Sequence, residues 1–342
     1  MTAQVMPPTG VATGVGSMPG DDFAEAVRVV LGEIVDLPHL PELPERSAAA
    51  SMTGRAVAML ADLGADLQPA GWRLTDGPGR DHRRARSLLA QDLDVLEEQT
   101  QGYAGAFKVQ VAGPWTLAAT MERPRGDRLL ADHGARRELA QSLAEGVGGH
   151  VDDVRRRLPR ARLVVQVDEP ALPAVLAGAV PTASGFHRHR SVGVPEAVET
   201  LAWVLDAVAE GGAVPVVHCC ADTVPVRVLA RAGARAVSVD MARVNTGDYD
   251  GYVELLDQGI SLWLGAVPAT DADPAPRDSE VVRRVQRLLE DLGVDPETAG
   301  DRCVVTPACG LAGASPGWAR HALRLSGQVA RHLSAAGGRM RP

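Results

Sequence analysis

The sequence predicts an α/β fold, a single (β/α)8 TIM barrel, on three observations. Short β-like runs alternate with longer helical stretches, the pattern of parallel βα units. Eight such runs can be counted along the 342 residues, a length that suits one α/β barrel or two ordinary domains. Polar or reactive residues stand at the carboxyl end of nearly every run, where a barrel opens its active site. A doubly wound sheet would want a phosphate-binding glycine fingerprint. Gly14-Val-Gly-Ser-Met-Pro-Gly20 has the wrong spacing for one, and no GK[ST] loop occurs.

The first run is Gly10–Gly16, followed by Ser17-Met-Pro-Gly20 and an Asp21-Asp22 N-cap for a helix over Phe23–Gly32. The second, Glu33–Leu37, leads into the proline-rich Pro38–Arg46. Residues 47–105 read as an insertion after that second strand, with helical periodicity over Ser47–Gly64 and His82–Gly102 around a turn at Trp72–Pro78. The third strand is Phe107–Val111, ending in Ala112-Gly-Pro-Trp-Thr116, and helix follows over Ala135–Leu158. Strand four is Arg162–Val167, ending in Asp168-Glu-Pro170. Strands five to eight are Val214–Val217, Ala236–Val239, Ser261–Leu264 and Cys303–Val305. Helices over Glu196–Glu210, Tyr252–Gln258, Val281–Leu292 and Gly317–Ala336 fill the gaps. Residues 337–342 are expected to form a loose tail. The whole of 1–342 is thus one expected domain.

Composition narrows the class of function. Apolar residues make up 45% and charged residues 23%, the proportions of a soluble globular protein. No apolar run approaches the ~20 residues of a membrane span, and Met1–Pro8 lacks the basic and apolar regions of an export signal. A net charge of −8 argues against nucleic-acid or anionic-membrane surfaces, and 3% aromatic content against a base-stacking platform. Four cysteines without an export signal point to a reducing cytoplasm, where clustered cysteines more often mean metal or catalysis than disulfides.

The chemistry gathers in Val214-Pro-Val-Val-His-Cys-Cys-Ala-Asp222. Side chains alternate along a strand, so His218 and Cys220 face one way and Cys219 the other, giving half of a tetrahedral zinc site. Buried structural cysteines and a core histidine would read the same way, until the barrel adds Cys309 at the end of strand eight. Asp240 at the end of strand six is a fourth candidate ligand, or a residue orienting the others. Two thiolates and a carboxylate around Zn²⁺ leave a net −1, a poor centre for splitting water but one suited to holding a substrate thiol as a thiolate. Cys219 and Cys303 are assigned to packing. Ser17, Glu42, Thr116, Asp168 and Glu169 stand at other strand ends on the same rim, although each could singly be a cap or a surface pair.

With these residues in place, the chain resembles the cobalamin-independent methionine synthase family, specifically its catalytic barrel, over residues 10–312. The resemblance rests on Gly14-Val-Gly-Ser17, Gly113-Pro114 with Thr116, Gln166-Val-Asp-Glu-Pro-Ala-Leu172, His218-Cys-Cys220, Ser238-Val-Asp240 and Pro307-Ala-Cys-Gly-Leu311. It implies zinc on His218, Cys220, Asp240 and Cys309, with homocysteine held by Val15, Gly16, Ser17 and Asp168, and Glu42 as a looser match. An amino acid needs a carboxylate for its ammonium and hydroxyl or amide donors for its carboxylate, and these positions supply both.

The departures from the family concern the methyl donor. This chain has room for one barrel where the full-length enzymes carry two. A tryptophan that packs on folate falls near Thr120, with Trp115 offset. Gly265-Ala-Val-Pro-Ala-Thr270 lacks the family's general-acid histidine, leaving Asp271 and Asp273 as the nearby acids. The zinc glutamate is an aspartate. The expectation is therefore a zinc-dependent methylation of homocysteine to methionine, with a methylcorrinoid or its carrier protein a better donor than methyltetrahydrofolate and Asp271 as substitute acid. Alternatives at this stage are another small thiol as acceptor, a metal-free decarboxylase of the uroporphyrinogen type, and a non-catalytic thiol or metal carrier.

Overall fold

A computed structural model describes residues 8–295, 298 and 302–337. Its framework is a six-stranded parallel sheet in the order β3–β4–β5–β6–β7–β8, beside a separate antiparallel hairpin, β1–β2. The hairpin strands are β1 (Gly64–Gln68) and β2 (Gly71–Thr75). The parallel strands are β3 (Ala106–Ala112), β4 (Arg162–Asp168), β5 (Val214–Cys219), β6 (Ala236–Asp240), β7 (Ser261–Val267) and β8 (Cys303–Pro307).

Alternation explains why this sheet is buried on both faces. Phe107, Val109, Val111, Leu163, Val165, Val217, Val237 and Leu264 pack with the helices in the main core. Their alternate neighbours Ala106, Val164, Val214, Val216, Ala236, Trp263 and Val304 form a second apolar layer with Leu37. Further along the strands the positions in step with that layer turn polar: Lys108, Gln110, Gln166, Asp168, His218 and Ser238 are all buried.

Two segments bridge the sheet edges by isolated parallel pairings rather than as regular strands. Residues 10–13 run beside β8, with Thr13 N–H donating to Val305 O at 3.1 Å and Val305 N–H to Val11 O at 3.0 Å. Residues 38–42 run beside β3, with Leu40 N–H donating to Lys108 O at 2.9 Å. The two segments meet where Ser17 pairs with Glu42. The expected second strand at Glu33–Leu37 is thus displaced: Glu33 ends the helix Phe23–Glu33, and the paired residues come after Pro38. Proline 38 has no N–H to give, yet its carbonyl accepts from Lys108, so the proline marks the start of the edge pairing.

Residues 47–105 are less helical than expected. The chain here has short 3-10 turns at Pro44–Arg46 and Ala48–Ala50, helices over Met52–Met59 and Arg80–Gln99, and the β1–β2 hairpin where the sequence suggested only a turn at Trp72–Pro78. The remaining long helices run over His133–Arg157, Val194–Glu210, Tyr249–Asp257, Asp278–Asp291 and Pro316–Gly337, close to their expected bounds. Of the expected tail, only Gly337 is described, at the end of the last helix. Among the described residues no helix is long and apolar enough to cross a membrane.

Residues 47–105 are fastened to the sheet edge by buried charges. Arg55 reaches Asp92 at 2.8 Å and Glu42 at 3.3 Å, while Arg46 takes the other Asp92 oxygen at 2.7 Å. Removing one partner from such a network strands the others without solvent. Asp92→Ala is therefore expected to lower the unfolding free energy by about 3 kcal/mol or more. The urea midpoint should fall at an unchanged m-value; a loss no larger than the ~1 kcal/mol of a surface pair would count against this account.

Candidate active site at the carboxyl ends of the strands

A cavity of about 310 Å³ lies at the carboxyl ends of the strands, lined by residues that include Val15, Gly16, Ser17, Glu42, Asp168, His218, Cys220 and Cys309. All five residues expected to hold an amino acid thus line one space with three of the four expected metal ligands. They arrive from several different strand ends and edge segments, which is why they lie so far apart in sequence.

His218, at the end of β5, directs Nδ1 to Ser238 Oγ at 2.9 Å on neighbouring β6. Its Nε2 is buried and has no hydrogen-bond partner among the described residues. A ring pinned through one nitrogen with the other left open is oriented to ligate. Cys220 Sγ and Cys309 Sγ lie 3.1 Å apart and are not bonded to each other. The two sulfurs share a hydrogen bond, which holds the Cys309 thiol below its usual range and pushes that of Cys220 up. One atom from each of His218, Cys220 and Cys309 falls within 4.8 Å of the others, so the trio could hold a metal ion. The donor set, two sulfurs and an imidazole nitrogen, is that of a zinc site.

Asp240 does not join the trio. Its carboxylate accepts from Ala242 N–H at 3.0 Å and pairs with Arg243 at 3.1 Å. Asp271 also stands away from the cavity lining. It accepts from Ser315 N–H at 2.8 Å and Ser315 Oγ at 2.5 Å, and these bonds hold its carboxyl below the usual range. Cys219 and Cys303 are buried, as packing residues should be.

The cavity wall carries the Asp168 and Glu42 carboxyls. Burial pushes the Asp168 carboxyl up, Glu42 adds to this, and His218 and Lys108 oppose it. Glu42 is in turn answered by the buried Arg55 at 3.3 Å. The Ser17 end is held by close packing: a side chain at Gly310 would displace the Ser17 hydroxyl.

Glu169 has a task the sequence reading did not assign. It accepts from Trp115 N–H at 2.9 Å, Thr116 N–H at 2.8 Å and Thr116 Oγ1 at 2.7 Å, tying the loop after β3 to the end of β4. A side chain at Gly113 would collide with this carboxylate, which links the Gly113-Pro-Trp-Thr116 and Asp168-Glu-Pro170 strings physically. The sequence signal was there in Thr116 and Glu169 themselves, both at strand ends.

Fold and cavity together define an α/β enzyme with a thiol–imidazole cluster beside a carboxylate-lined binding space. A family model described as cobalamin-independent synthase, catalytic domain, matches residues 99–332, and the chain belongs to this family. It is accordingly an enzyme of the methyltransferase class. Among solved structures, the fold is similar to a B12-independent methionine synthase from Shewanella sp. W3-18-1 in complex with selenomethionine, at 13% identity and TM-score 0.64, covering 96% of this chain and 98% of that one. A beta-N-acetylhexosaminidase is similar at 12% identity and TM-score 0.49, covering 98% of this chain and 73% of that one. No protein of curated function matches the sequence.

Burial pushes the Glu169 carboxyl up to about 7 against the three donors it accepts from. A carboxyl held up in this way keeps its proton in the folded chain after the unfolded chain has lost it. Its stabilisation is therefore complete below the ordinary value of 4.5 and is lost as pH rises through about 7. Unfolding free energies measured from pH 4.5 to 7 are expected to carry a downward slope of up to ~1.4 kcal/mol per unit from this group. Glu169→Gln should flatten that part of the slope, and an unchanged slope in the variant would remove Glu169 as its source.

Proposed function

We propose that the protein methylates the thiol of homocysteine, giving methionine, with zinc held by His218, Cys220 and Cys309. The observation that carries this reading is the shared cavity: a metal-binding trio and an amino-acid-sized, carboxylate-lined space lie side by side. Family membership and the likeness to a methionine synthase fold support it. Zinc, when bound, would supply the positive charge that lets a substrate thiol ionise near neutral pH and stay nucleophilic. The chain's own residues do the rest. Asp168 and Glu42 face the substrate ammonium, and the Val15–Ser17 backbone with the Ser17 hydroxyl faces its carboxylate. Holding the acceptor in one orientation is what positions its sulfur for in-line attack. Asp240 in this reading steadies the loop after β6 through Ala242 and Arg243 rather than completing the trio.

In the same reading the bridging segments at 10–18 and 38–42 close the six-stranded sheet into a (β/α)8 ring. Residues 1–342 then form one domain, with 47–105 as an insertion. Four cysteines free of disulfides fit a cytoplasmic setting. The corrinoid donor expected from the sequence has no support from a family described as cobalamin-independent. A cavity of about 310 Å³ suits a small amino acid, with the donor approaching its open mouth. A methylfolate is therefore the donor proposed.

Asp168→Asn keeps the shape of the side chain and removes its charge. Homocysteine affinity is expected to fall about tenfold or more, from the loss of a charge-assisted hydrogen bond. Zinc stoichiometry should not change, and a variant that loses zinc instead would place Asp168 with the metal.

The donor is settled by offering methyltetrahydrofolate and methylcobalamin separately to zinc-loaded enzyme with homocysteine. Turnover is expected with methyltetrahydrofolate, and Asp271→Asn should leave its rate unchanged because Ser315 occupies that carboxylate. Turnover with methylcobalamin alone would restore the corrinoid, and a rate abolished in Asp271→Asn would restore Asp271 as the acid.

A further inference from the structure

Below the cavity, a buried cation sits among the elements that face the substrate, and the methyl-transfer chemistry leaves it without a task. Lys108 is fully buried on β3. Its Nζ donates to Val15 O at 2.8 Å and to Gln110 Oε1 at 3.2 Å. The same Val15 carbonyl accepts from Gln166 Nε2 at 2.9 Å, and that amide also donates to Asp168 Oδ1 at 2.7 Å. On the other side, Gln110 Nε2 donates to Glu42 Oε1 at 3.1 Å and to Leu40 O at 2.7 Å. Lys108, Gln110 and Gln166 therefore touch, directly or through one another, the Val15–Ser17 segment, Glu42 and Asp168.

The charges agree with the contacts. Burial lowers the Lys108 ammonium from its usual range, while Asp168 and Glu42 act to keep it charged. In turn Lys108 is one of the two cations that draw the Asp168 carboxyl down, the other being His218. A buried ammonium is costly unless its donors and its charge are answered. Here two carbonyl oxygens answer the donors and two carboxylates answer the charge.

We propose that Lys108 is a positioning residue for the amino-acid end of the substrate, hooking the Val15–Ser17 segment by its carbonyl and, through Gln110 and Gln166, setting Glu42 and Asp168. The inference rests on the reading of the cavity as a homocysteine site. It separates two functions within that cavity. The trio His218, Cys220 and Cys309 meets the thiol, and the Lys108 layer shapes only what meets the ammonium and carboxylate. A variant of Lys108 should therefore harm the recognition of an amino acid and spare that of a bare thiol.

The test compares homocysteine with 1-propanethiol, which has the same thiol and chain but neither charged group. Binding of each to zinc-loaded protein is measured by calorimetry, with zinc content determined alongside. Lys108→Met is expected to weaken homocysteine binding about tenfold or more while propanethiol binding stays within about twofold and zinc content is unchanged. In turnover the loss should appear as a raised KM, with kcat at saturation little altered. Equal weakening of both thiols would show a merely structural lysine and overturn the proposal, as would no weakening of either. Should Lys108→Met fail to fold, Gln166→Met decides the matter: it keeps the ammonium and removes the bridge between Val15 and Asp168. The same selective loss supports the layer, and equal or absent losses overturn it. Wild-type protein that binds propanethiol as well as homocysteine would instead overturn the homocysteine reading itself, and the task of Lys108 with it.

Discussion

A parallel sheet covered on both faces has no solvent to satisfy a polar side chain, so any such residue on it must find a partner inside. That constraint organises this molecule. On the enclosed face the lower positions are apolar and make a dry layer around Trp263 and Val304. Two to four residues further along β3 to β6, the positions become Lys108, Gln110, Gln166, His218 and Ser238. Their hydrogen bonds run to one another and to the loops above, so the satisfaction of a buried layer and the construction of a cavity are one arrangement.

The cavity has two ends with different chemistry. At one, Ser238 fixes the His218 ring and leaves Nε2 open beside two thiols. At the other, the Asp168 and Glu42 carboxyls and the Val15–Ser17 segment reach the lining. A ligand with a soft nucleophile at one end and an ammonium at the other matches both. The Arg55–Asp92–Arg46 network stands just outside, where it ties the insertion to Glu42 and so to the same edge of the cavity.

Much of the fold was legible because parallel βα units write a simple pattern. Six runs rich in Val and Leu, most of them followed by polar or reactive residues, are all strands of the sheet. The first two runs were harder. Residues 10–13 and 38–42 pair by single bridges, and the apolar string Ile34-Val-Asp-Leu37 drew attention away from Pro38–Glu42, where the pairing occurs. The β1–β2 hairpin was missed because Gly64-Ala-Asp-Leu-Gln68 has little β-branched content. It is held instead by register with Trp72 and Leu74, whose side chains are buried.

By itself the sequence marked residues that line the cavity, since His218-Cys-Cys220, Asp168-Glu-Pro170 and Cys309 combine side chains that seldom cluster at strand ends without a use. It determined their facing too, because alternation along an extended chain is a matter of covalent geometry. Only the tertiary structure decided which of them meet. Asp240 ends β6 and Asp271 lies in the loop after β7, but a short carboxylate binds the donors near it, and for these two they are Ala242 with Arg243, and Ser315. The part of Lys108 was invisible for a related reason. Phe107-Lys-Val-Gln-Val111 alternates like a strand with one face in water, and whether its polar face meets solvent or the inside of a curved sheet depends on how that sheet curves around it.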